Sequence, residues 1–517
     1  MRKYLYITVF ISGMASLAVE MAASRLLGNY FGTSNLVWAS IIGLILIYLT
    51  VGYFIGGKWA DRSPYYPTLF SILSWAGLTV ALVPLASRPI LRFASQAFDE
   101  LWMGNLIGSF VVVMILFIIP VSLMGMASPF AIRLALSDTR QVGTIAGRIY
   151  ATSTLGSFIG TFIPDILLVP LIGTYRTFLV LGSILLLTAL IGLGVSSGWK
   201  KLLKFTWMPI IIVLLAFYGT RGNDKTATGM IYETESSYNY IQVLEVEGYH
   251  LLRLNDGQGV HSIYHPEQLN YHGPWEQVLV APFFNQAPVN PKSITSMAIV
   301  GLAAGTTARQ ASEVYPNIII DGYEIDSKII RTAQTYFDMT MPNLNAYAQD
   351  GRWGLSTSKS TYNIISVDAY RPPYIPWHLT TTEFFQLVRN HLTKDGVMVI
   401  NVGRGPNDRR LIDTLGSTLL DVFPTIHVMD LPGSFNSIIF ASVQPTTAEN
   451  LMDNFQYLST QQQTHPLLME TMAVTLQNMQ TPPVKSVVFT DDKAPITWLT
   501  NSMIVNFFLS GDLESLQ

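Results

Sequence analysis

Two periodicities divide the chain. Through roughly the first 220 residues, apolar positions form runs with no polar face, such as "LVWASIIGLILIYLTVGYFIGG", "NLIGSFVVVMILFIIPVSLMGM" and "FLVLGSILLLTALIGLGV". Each is long enough to cross a hydrocarbon core of roughly 30 Å as a helix. Seven such runs lie near residues 4–23, 36–57, 67–87, 105–126, 150–172, 177–196 and 203–219. The first has no small-residue cleavage site at its end and is followed by further spans, so a cleaved signal peptide is not expected. From about residue 226 the pattern changes to short β segments alternating with amphipathic helices and polar loops. "YNYIQVLEV" (238–246) and "HLLRLND" (250–256), joined by "EGY", read as a hairpin. Strands are then expected at 296–300, 318–323, 344–348, 363–367, 396–402, 425–429 and 437–442. Helices are expected at 306–315, 327–337, 380–392 and 408–421. Strands alternating with helices of this length imply a mostly parallel sheet covered on both faces.

Composition sharpens this division. Half of the 517 residues are hydrophobic, which is more than a soluble protein hides in its cores. The product expected is an integral, multi-pass membrane protein whose α-helical membrane domain of six or seven helices occupies 1–222. It is followed by a small β domain at 226–290, an α/β Rossmann domain at 291–445 and a helical extension at 446–517. Basic residues favour a cytoplasmic N-terminus, with Arg2, Lys3, Lys58 and Arg62 among those placed inside. Seven crossings would then put the second half on the opposite face, away from cytosolic nucleosides. The run least suited to crossing is 150–172, where Pro164, Asp165 and Pro170 are expected to break the helix or leave it re-entrant. Glu20 and Asp165 lie inside apolar runs, where ionisable groups are costly and mark function. The plainer expectation for Glu20 is an interfacial pair with Arg25.

A net charge of −3 gives no reason to expect nucleic acid. With no cysteine, disulfides, thiolate metal sites and thiol nucleophiles are excluded, and eight scattered histidines without metal-ligand spacing make no zinc site.

The chemistry gathers where the expected parallel strands end. "SMAIVGLAAGTTARQ" (296–310) is a strand, a tight turn and a helix start, in which Gly301 and Gly305 let the backbone approach a ligand. The same spacing also suits plain strand-to-helix packing. The next strand ends at Glu324 and Asp326, with Glu324 about twenty residues after the turn, where an acid can bind two ribose hydroxyls. The third ends at Asp350, able to accept from an adenine amino group, and the fourth at Asp368. Gly, Glu, Asp and Asp at four successive strand ends point to a nucleoside site. "RPPYIPWHLTT" after Asp368 adds Tyr374 and His378, a rigid aromatic segment suited to covering a substrate. For His378 a structural place before a helix is the plainer reading.

Residues 232–445 resemble the spermidine synthases, aminopropyltransferases with a class I methyltransferase-like Rossmann fold behind a small β domain. With the membrane half, the chain resembles the transmembrane spermidine-synthase-like proteins. "GYFIGGKWADR" (52–62) is similar to the Asp-Arg loop between the second and third helices of major facilitator transporters, which implies that Asp61 and Arg62 are cytoplasmic. The resemblance implies that the turn from Gly301 through Ala304 to Gly305 wraps the methionine-derived tail of decarboxylated S-adenosylmethionine. Glu324 would hold the ribose, Asp350 with Gly351 would read the adenine, and Asp368 would be the first acid of a catalytic D-x-x-D loop. "SSYNYIQV" and "LNYHG" match the β-domain segments that bring Tyr238, Gln242 and His272 to the substrate.

Three positions depart from that family. Ala304 stands where an acid binds the amine, Arg371 replaces the proton-accepting second acid, and Gly273 replaces the glutamate after the pocket histidine. An ammonium 4 Å from an inward-pointing Arg371 would be repelled by about 4 kcal/mol at an effective dielectric of 20. Either Arg371 points outward and "FTDDKAPITWL" (489–499) folds back to supply Asp491 or Asp492, or the ligand carries a carboxylate. The plainer role of Asp492 is to cap a helix three residues before Pro495. A carboxylate ligand would be ordinary S-adenosylmethionine, with methyl or aminocarboxypropyl as the transferred group. A third reading is a non-enzymatic sensor or transporter of polyamines or nucleosides. The expected partners are a small-molecule amine and the lipid bilayer, with a homodimer left open.

Overall fold

The computed structural model describes residues 1–31, 35–98, 102–136, 142–219, 225, 227–255, 259–370 and 374–510. The chain forms two compact units, Met1–Gln242 with Leu254–Gly257, and Val243–Arg253 with Gln258–Gln517.

The first unit is helical: α1 (Arg2–Phe31), α2 (Asn35–Arg62), α3 (Tyr66–Phe98), α4 (Trp102–Gly125), α5 (Val142–Phe162), α6 (Thr174–Ser197) and α7 (Trp207–Leu214). With the helical segments that extend α4, α5 and α7, seven helices among the described residues are long and apolar enough to cross a membrane. Apolar side chains gain little by leaving lipid for a neighbouring helix, so such helices associate through close backbone approach at small residues. A Cβ on Gly156 or Gly160 of α5 would lie 2.1 Å from the carbonyl oxygen of Phe10 or Met14 on α1. On Gly52 of α2 it would lie 2.3 Å from the Ser122 carbonyl of α4, and on Gly182 of α6 it would lie 2.5 Å from the Gly77 carbonyl of α3. Three helix pairs are thus held at distances that only glycine permits.

The stretch 150–172 does not break. α5 runs into a π-helical segment, Ile163–Leu168, and then a last α turn, Val169–Ile172. Each proline falls within the first two positions of a new segment, where its missing N–H is tolerated. Glu20 does not pair with Arg25: five helical residues turn the chain by about 500°, which leaves the two on faces about 140° apart. Arg25 instead meets Asp165, with Nε 3.5 Å from the carboxylate, and donates to the Ser236 carbonyl at 2.6 Å. Residues 52–62 form the last turns of α2 rather than a loop, and Asp61 there pairs with Arg133 at 3.4 Å. Glu235 closes the N-terminus of α6, accepting from Thr174 N at 2.8 Å and from Asn29 Nδ2 at 3.3 Å. A carboxylate there satisfies a free helix N–H and opposes the positive end of the helix dipole.

A four-stranded sheet has the order β1 (Met230–Glu235), β2 (Tyr240–Val246), β3 (Tyr249–Leu254) and β4 (Val260–Tyr264). The turn between β2 and β3 has positive φ at both Glu247 (52°) and Gly248 (85°), the geometry that matches strand twist in tight hairpins. β1 and β4 were not expected, because their short, half-exposed sequences carry little apolar alternation.

The second unit is built on eight strands. These are β5 (Ser296–Val300), β6 (Ile319–Glu324), β7 (Leu344–Ala348), β8 (Tyr362–Val367), β9 (Leu392–Gly403), β10 (Thr425–Asp430), β11 (Asn436–Ser442) and β12 (Met479–Gln480). The order is β12-β10-β11-β9-β8-β5-β6-β7, parallel from β9 through β7 and antiparallel beyond. The intervening helices are α8 (Thr306–Val314), α9 (Ser327–Tyr336), α10 (Gly351–Thr357), α11 (Thr382–Asn390) and α12 (Arg410–Leu420), followed by α13 (Ala448–Ser459), α14 (Pro466–Gln477) and α15 (Ile496–Ser510). Central strands such as β5, buried from Met297 to Val300, read as continuous apolar runs because helices cover both faces. After β5 the order runs one way through β6 and β7 and the other way through β8 and β9. This is a methyltransferase-like Rossmann arrangement with its switch point at β5, where such sheets bind ligands.

Gly156→Ala puts a methyl carbon 2.1 Å from a backbone oxygen that cannot move away, whereas Gly147 on the same helix has open space around its Cβ position. Gly156→Ala is expected to lower the melting temperature of the detergent-purified full chain by several degrees, and Gly147→Ala to leave it unchanged or raised. Equal melting of the two variants would refute the close-packing account.

Candidate functional site

Four strand ends meet at the switch point. β5 leads into Gly301-Leu302-Ala303-Ala304-Gly305, a turn that needs glycine at both ends. φ is +91° at Gly301 and +81° at Gly305, and a Cβ on Gly301 would lie 2.4 Å from the Asp368 carbonyl oxygen. The turn is tied down by its own N–H groups. Gly301 N and Leu302 N donate to the Tyr323 carbonyl at 2.9 and 3.0 Å, and Gly305 N donates to Leu302 O at 3.0 Å. Ala304 N donates to Ser262 Oγ of β4 at 2.9 Å.

Glu324, at the end of β6, is 8% exposed. Its Oε2 accepts from Ala303 N at 3.0 Å and its Oε1 from Asp326 N at 3.0 Å. Burial outweighs these bonds and pushes the carboxyl up to about 7. Asp326 is buried and caps α9 through Lys328 N at 3.0 Å. Asp350, beyond β7, caps α10 through Trp353 N at 3.0 Å, and its Oδ2 lies 3.0 Å from His378 Nε2. The His378 bond holds the Asp350 carboxyl below its ordinary range. Gly351 opens α10 beneath Val300, whose Cγ1 would be 2.4 Å from any Cβ there.

Asp368 leaves β8 with its N–H on the Val300 carbonyl at 2.9 Å. Its Oδ1 accepts from Asn401 Nδ2 at 3.1 Å, and burial pushes the carboxyl up to about 6. Asn401 is itself fixed by Tyr370, whose hydroxyl donates to the Asn401 carbonyl at 3.0 Å and accepts from Gly403 N at 2.7 Å. Asn401 Oδ1 is buried without a hydrogen-bond partner among the described residues. Asn401 was missed in the sequence, although a lone amide inside the apolar run "VMVINVG" is the kind of signal that marks a site.

The remaining expected residues have the following surroundings. Tyr238 (43% exposed) and Gln242, buried and donating to Met230 Sδ at 3.2 Å, belong to the first unit. His272 is exposed at φ +54°. The acid of its segment is Glu276, buried and missed, which accepts from Gly273 N at 2.6 Å and from Gln310 Nε2 at 3.1 Å. Tyr374 donates to Asn501 Oδ1 at 2.6 Å. Arg371 lies outside the described residues. Asp492 is exposed and does not cap α15, which begins four residues later at Ile496. Its neighbour Asp491 makes the contacts, a two-pronged bond with Arg352 at 2.6 and 2.8 Å and a 2.7 Å bond from Thr381 Oγ1.

Comparison with known proteins finds aminopropyltransferases and, over a shorter stretch, methyltransferases. The chain is similar to a probable polyamine aminopropyl transferase of Bifidobacterium longum, 33% identical over 287 residues, covering 52% of this chain and 62% of that protein. It is similar also to a polyamine aminopropyltransferase of Vibrio vulnificus, 25% identical over 260 residues, covering 48% of this chain and 82% of the other. Among solved structures it matches a probable spermidine synthase from Corynebacterium glutamicum at 17% identity with a TM-score of 0.39, covering 52% of this chain and 99% of that one. No protein-family model matches. Polyamine aminopropyltransferases are thus similar to about half the chain, and the chain spans about three fifths of the length of the Bifidobacterium protein.

Glu324 rises from 4.5 to about 7 and Asp368 from 3.8 to about 6. Both bind protons more tightly folded than unfolded, so their stabilisation is complete below about pH 4 and is lost as pH climbs through 6 and 7. At about 1.4 kcal/mol per unit, the Glu324 shift is worth roughly 3 kcal/mol. Buried His261 and His427, pushed down to about 4 by burial, act in the opposite direction between about pH 4 and 6.5, so the test is a difference. The melting temperature of Glu324→Gln relative to the wild-type chain is expected to rise between pH 5 and pH 8; a constant difference would contradict the assignment.

Proposed function

We propose that this protein is a membrane-bound aminopropyltransferase of the spermidine-synthase kind. In this reading the carboxyl ends of β5 to β8 bind decarboxylated S-adenosylmethionine as a second substrate, and the acceptor is a polyamine-type amine. The Gly301–Gly305 turn holds the aminopropyl tail, Glu324 the ribose hydroxyls, and Asp350 with Gly351 the adenine. The oxygens of Glu324 and Asp350 retain lone pairs for those contacts beside their protein bonds.

The observation that carries this reading is the pairing of Asp368 with Asn401. An amine with an ordinary pKa near 10.4 arrives protonated and must lose a proton before it can attack. Asp368, raised to about 6, is a stronger base than an ordinary carboxylate, and Asn401 Oδ1 beside it is a buried acceptor with no donor among the described residues. Together they would hold an ammonium by two of its N–H groups. The proton passes to Asp368 and the nitrogen pair attacks the carbon next to the sulfonium. The carbon–sulfur bond breaks, and its electrons stay on sulfur as a neutral thioether. The seven apolar helices support placement of the enzyme in a bilayer as a multi-pass protein.

One observation favours a second reading, in which ordinary S-adenosylmethionine is the donor of a methyl or aminocarboxypropyl group. Buried Ala304 presents no acid to the tail, so a carboxylate there would meet no repulsion from that position. Titration calorimetry of the full chain with each sulfonium nucleoside, followed by turnover on a panel of diamines, separates the readings. Binding of the decarboxylated form with transfer to a diamine is expected, and Asp368→Asn should lower kcat by about 10² to 10⁴-fold. No heat with either nucleoside would remove the proposal, and binding without turnover on any amine would identify a sensor. A preference for ordinary S-adenosylmethionine that Arg371→Asp reverses would establish the second reading.

A further inference from the structure

The Asp-Asp segment near the C-terminus has no place in the chemistry above, yet its first aspartate stands at the head of a continuous chain of hydrogen bonds. Asp491 grips Arg352 with both oxygens, at 2.8 Å to Nη1 and 2.6 Å to Nη2. It also accepts from Thr381 Oγ1 at 2.7 Å, and its own N–H donates to Glu383 Oε2 at 2.9 Å, so it is anchored to the start of α11. Arg352 Nη1 reaches on to the carbonyl oxygen of His378 at 2.9 Å. His378 Nε2 is bound to Asp350 Oδ2 at 3.0 Å, and Asp350 Oδ1 is bound to Trp353 N. Arg352 and Trp353 follow Asp350 within three positions, so the clip acts on both sides of that carboxylate, through the α10 backbone and through His378.

We infer that Asp491 is a positioning residue for the nucleoside end of the site, acting through Arg352 and His378 to orient Asp350. This rests on the assignment of Asp350 to the adenine made above. A fork of two parallel bonds fixes the guanidinium plane as well as its position, which a single ammonium cannot do. The clip therefore depends on arginine, and charge alone does not replace it. A carboxylate held against His378 and a helix N–H presents its remaining lone pairs in one direction, which lowers the ordering cost of binding a base. On that assignment these residues serve the adenine end of the nucleoside, so the clip is expected to tune affinity for the nucleoside and leave the transfer step alone.

The test uses the full chain in detergent and 5′-methylthioadenosine as probe, since it carries the nucleoside without a transferable group. Asp491→Asn and Arg352→Gln are each expected to weaken its Kd about tenfold, and the double variant by no more than either alone. Arg352→Lys, which keeps the charge and loses the fork, should resemble Arg352→Gln. In turnover, KM for the sulfonium nucleoside should rise while kcat and KM for the amine stay within twofold, a split that general loosening of the fold would not produce. Kd within twofold of wild type in both Asp491→Asn and Arg352→Gln overturns the inference, as does a parallel loss in kcat. If Asp491→Asn does not fold, Arg352→Lys alone decides. A wild-type chain that does not bind methylthioadenosine overturns the nucleoside reading itself, and this inference with it.

Discussion

A carboxylate taken out of water has to be hydrogen-bonded or protonated, and the second unit is organised around that constraint. Glu324 and Asp368 flank β5 at the switch point, and each is held by a donor from a different part of the fold. For Glu324 the donors are N–H groups of Ala303 in the glycine turn and Asp326 before α9. For Asp368 the donor is the Asn401 amide on β9. The turn can make its contribution because glycine at 301 and 305 permits a left-handed backbone and admits the Asp368 carbonyl where a side chain would stand. The same burial that costs stability at neutral pH raises the basicity of both acids.

The first unit answers a different constraint. Its helices have little hydrophobic reason to associate, and they are brought together by backbone contacts at Gly156, Gly160, Gly52 and Gly182. Two charged groups at the ends of those helices are paired. Arg25 turns to Asp165 and to the Ser236 carbonyl, and Glu235 closes α6. The π-helical segment after α5 lets two prolines pass without interrupting the helix.

Much of the second unit was legible because a parallel strand buried on both faces and an amphipathic helix leave distinct periodicities. The strands from Ser296 to Ser442 fall within a few residues of where the pattern places them. β1 and β4 left no such trace, since an exposed strand earns its place through pairing rather than through its own apolar alternation. Glu324, Asp350 and Asp368 were visible as acids that end apolar runs. Asn401 and Glu276 were overlooked because an uncharged amide, or an acid away from a strand end, carries no marker until burial is known.

By itself the sequence determined the two-part architecture, the strand-and-helix order and the four strand ends, because hydrophobic period and glycine spacing are local properties of the chain. Tertiary structure alone decided which polar groups meet. Arg25 finds Asp165 across 140 positions rather than Glu20 across five, and Asp491 rather than Asp492 reaches Arg352 across 139. Such pairings depend on the azimuth of a helix or the direction of a turn. A one-residue change there redirects a side chain without altering the composition or periodicity that a sequence displays.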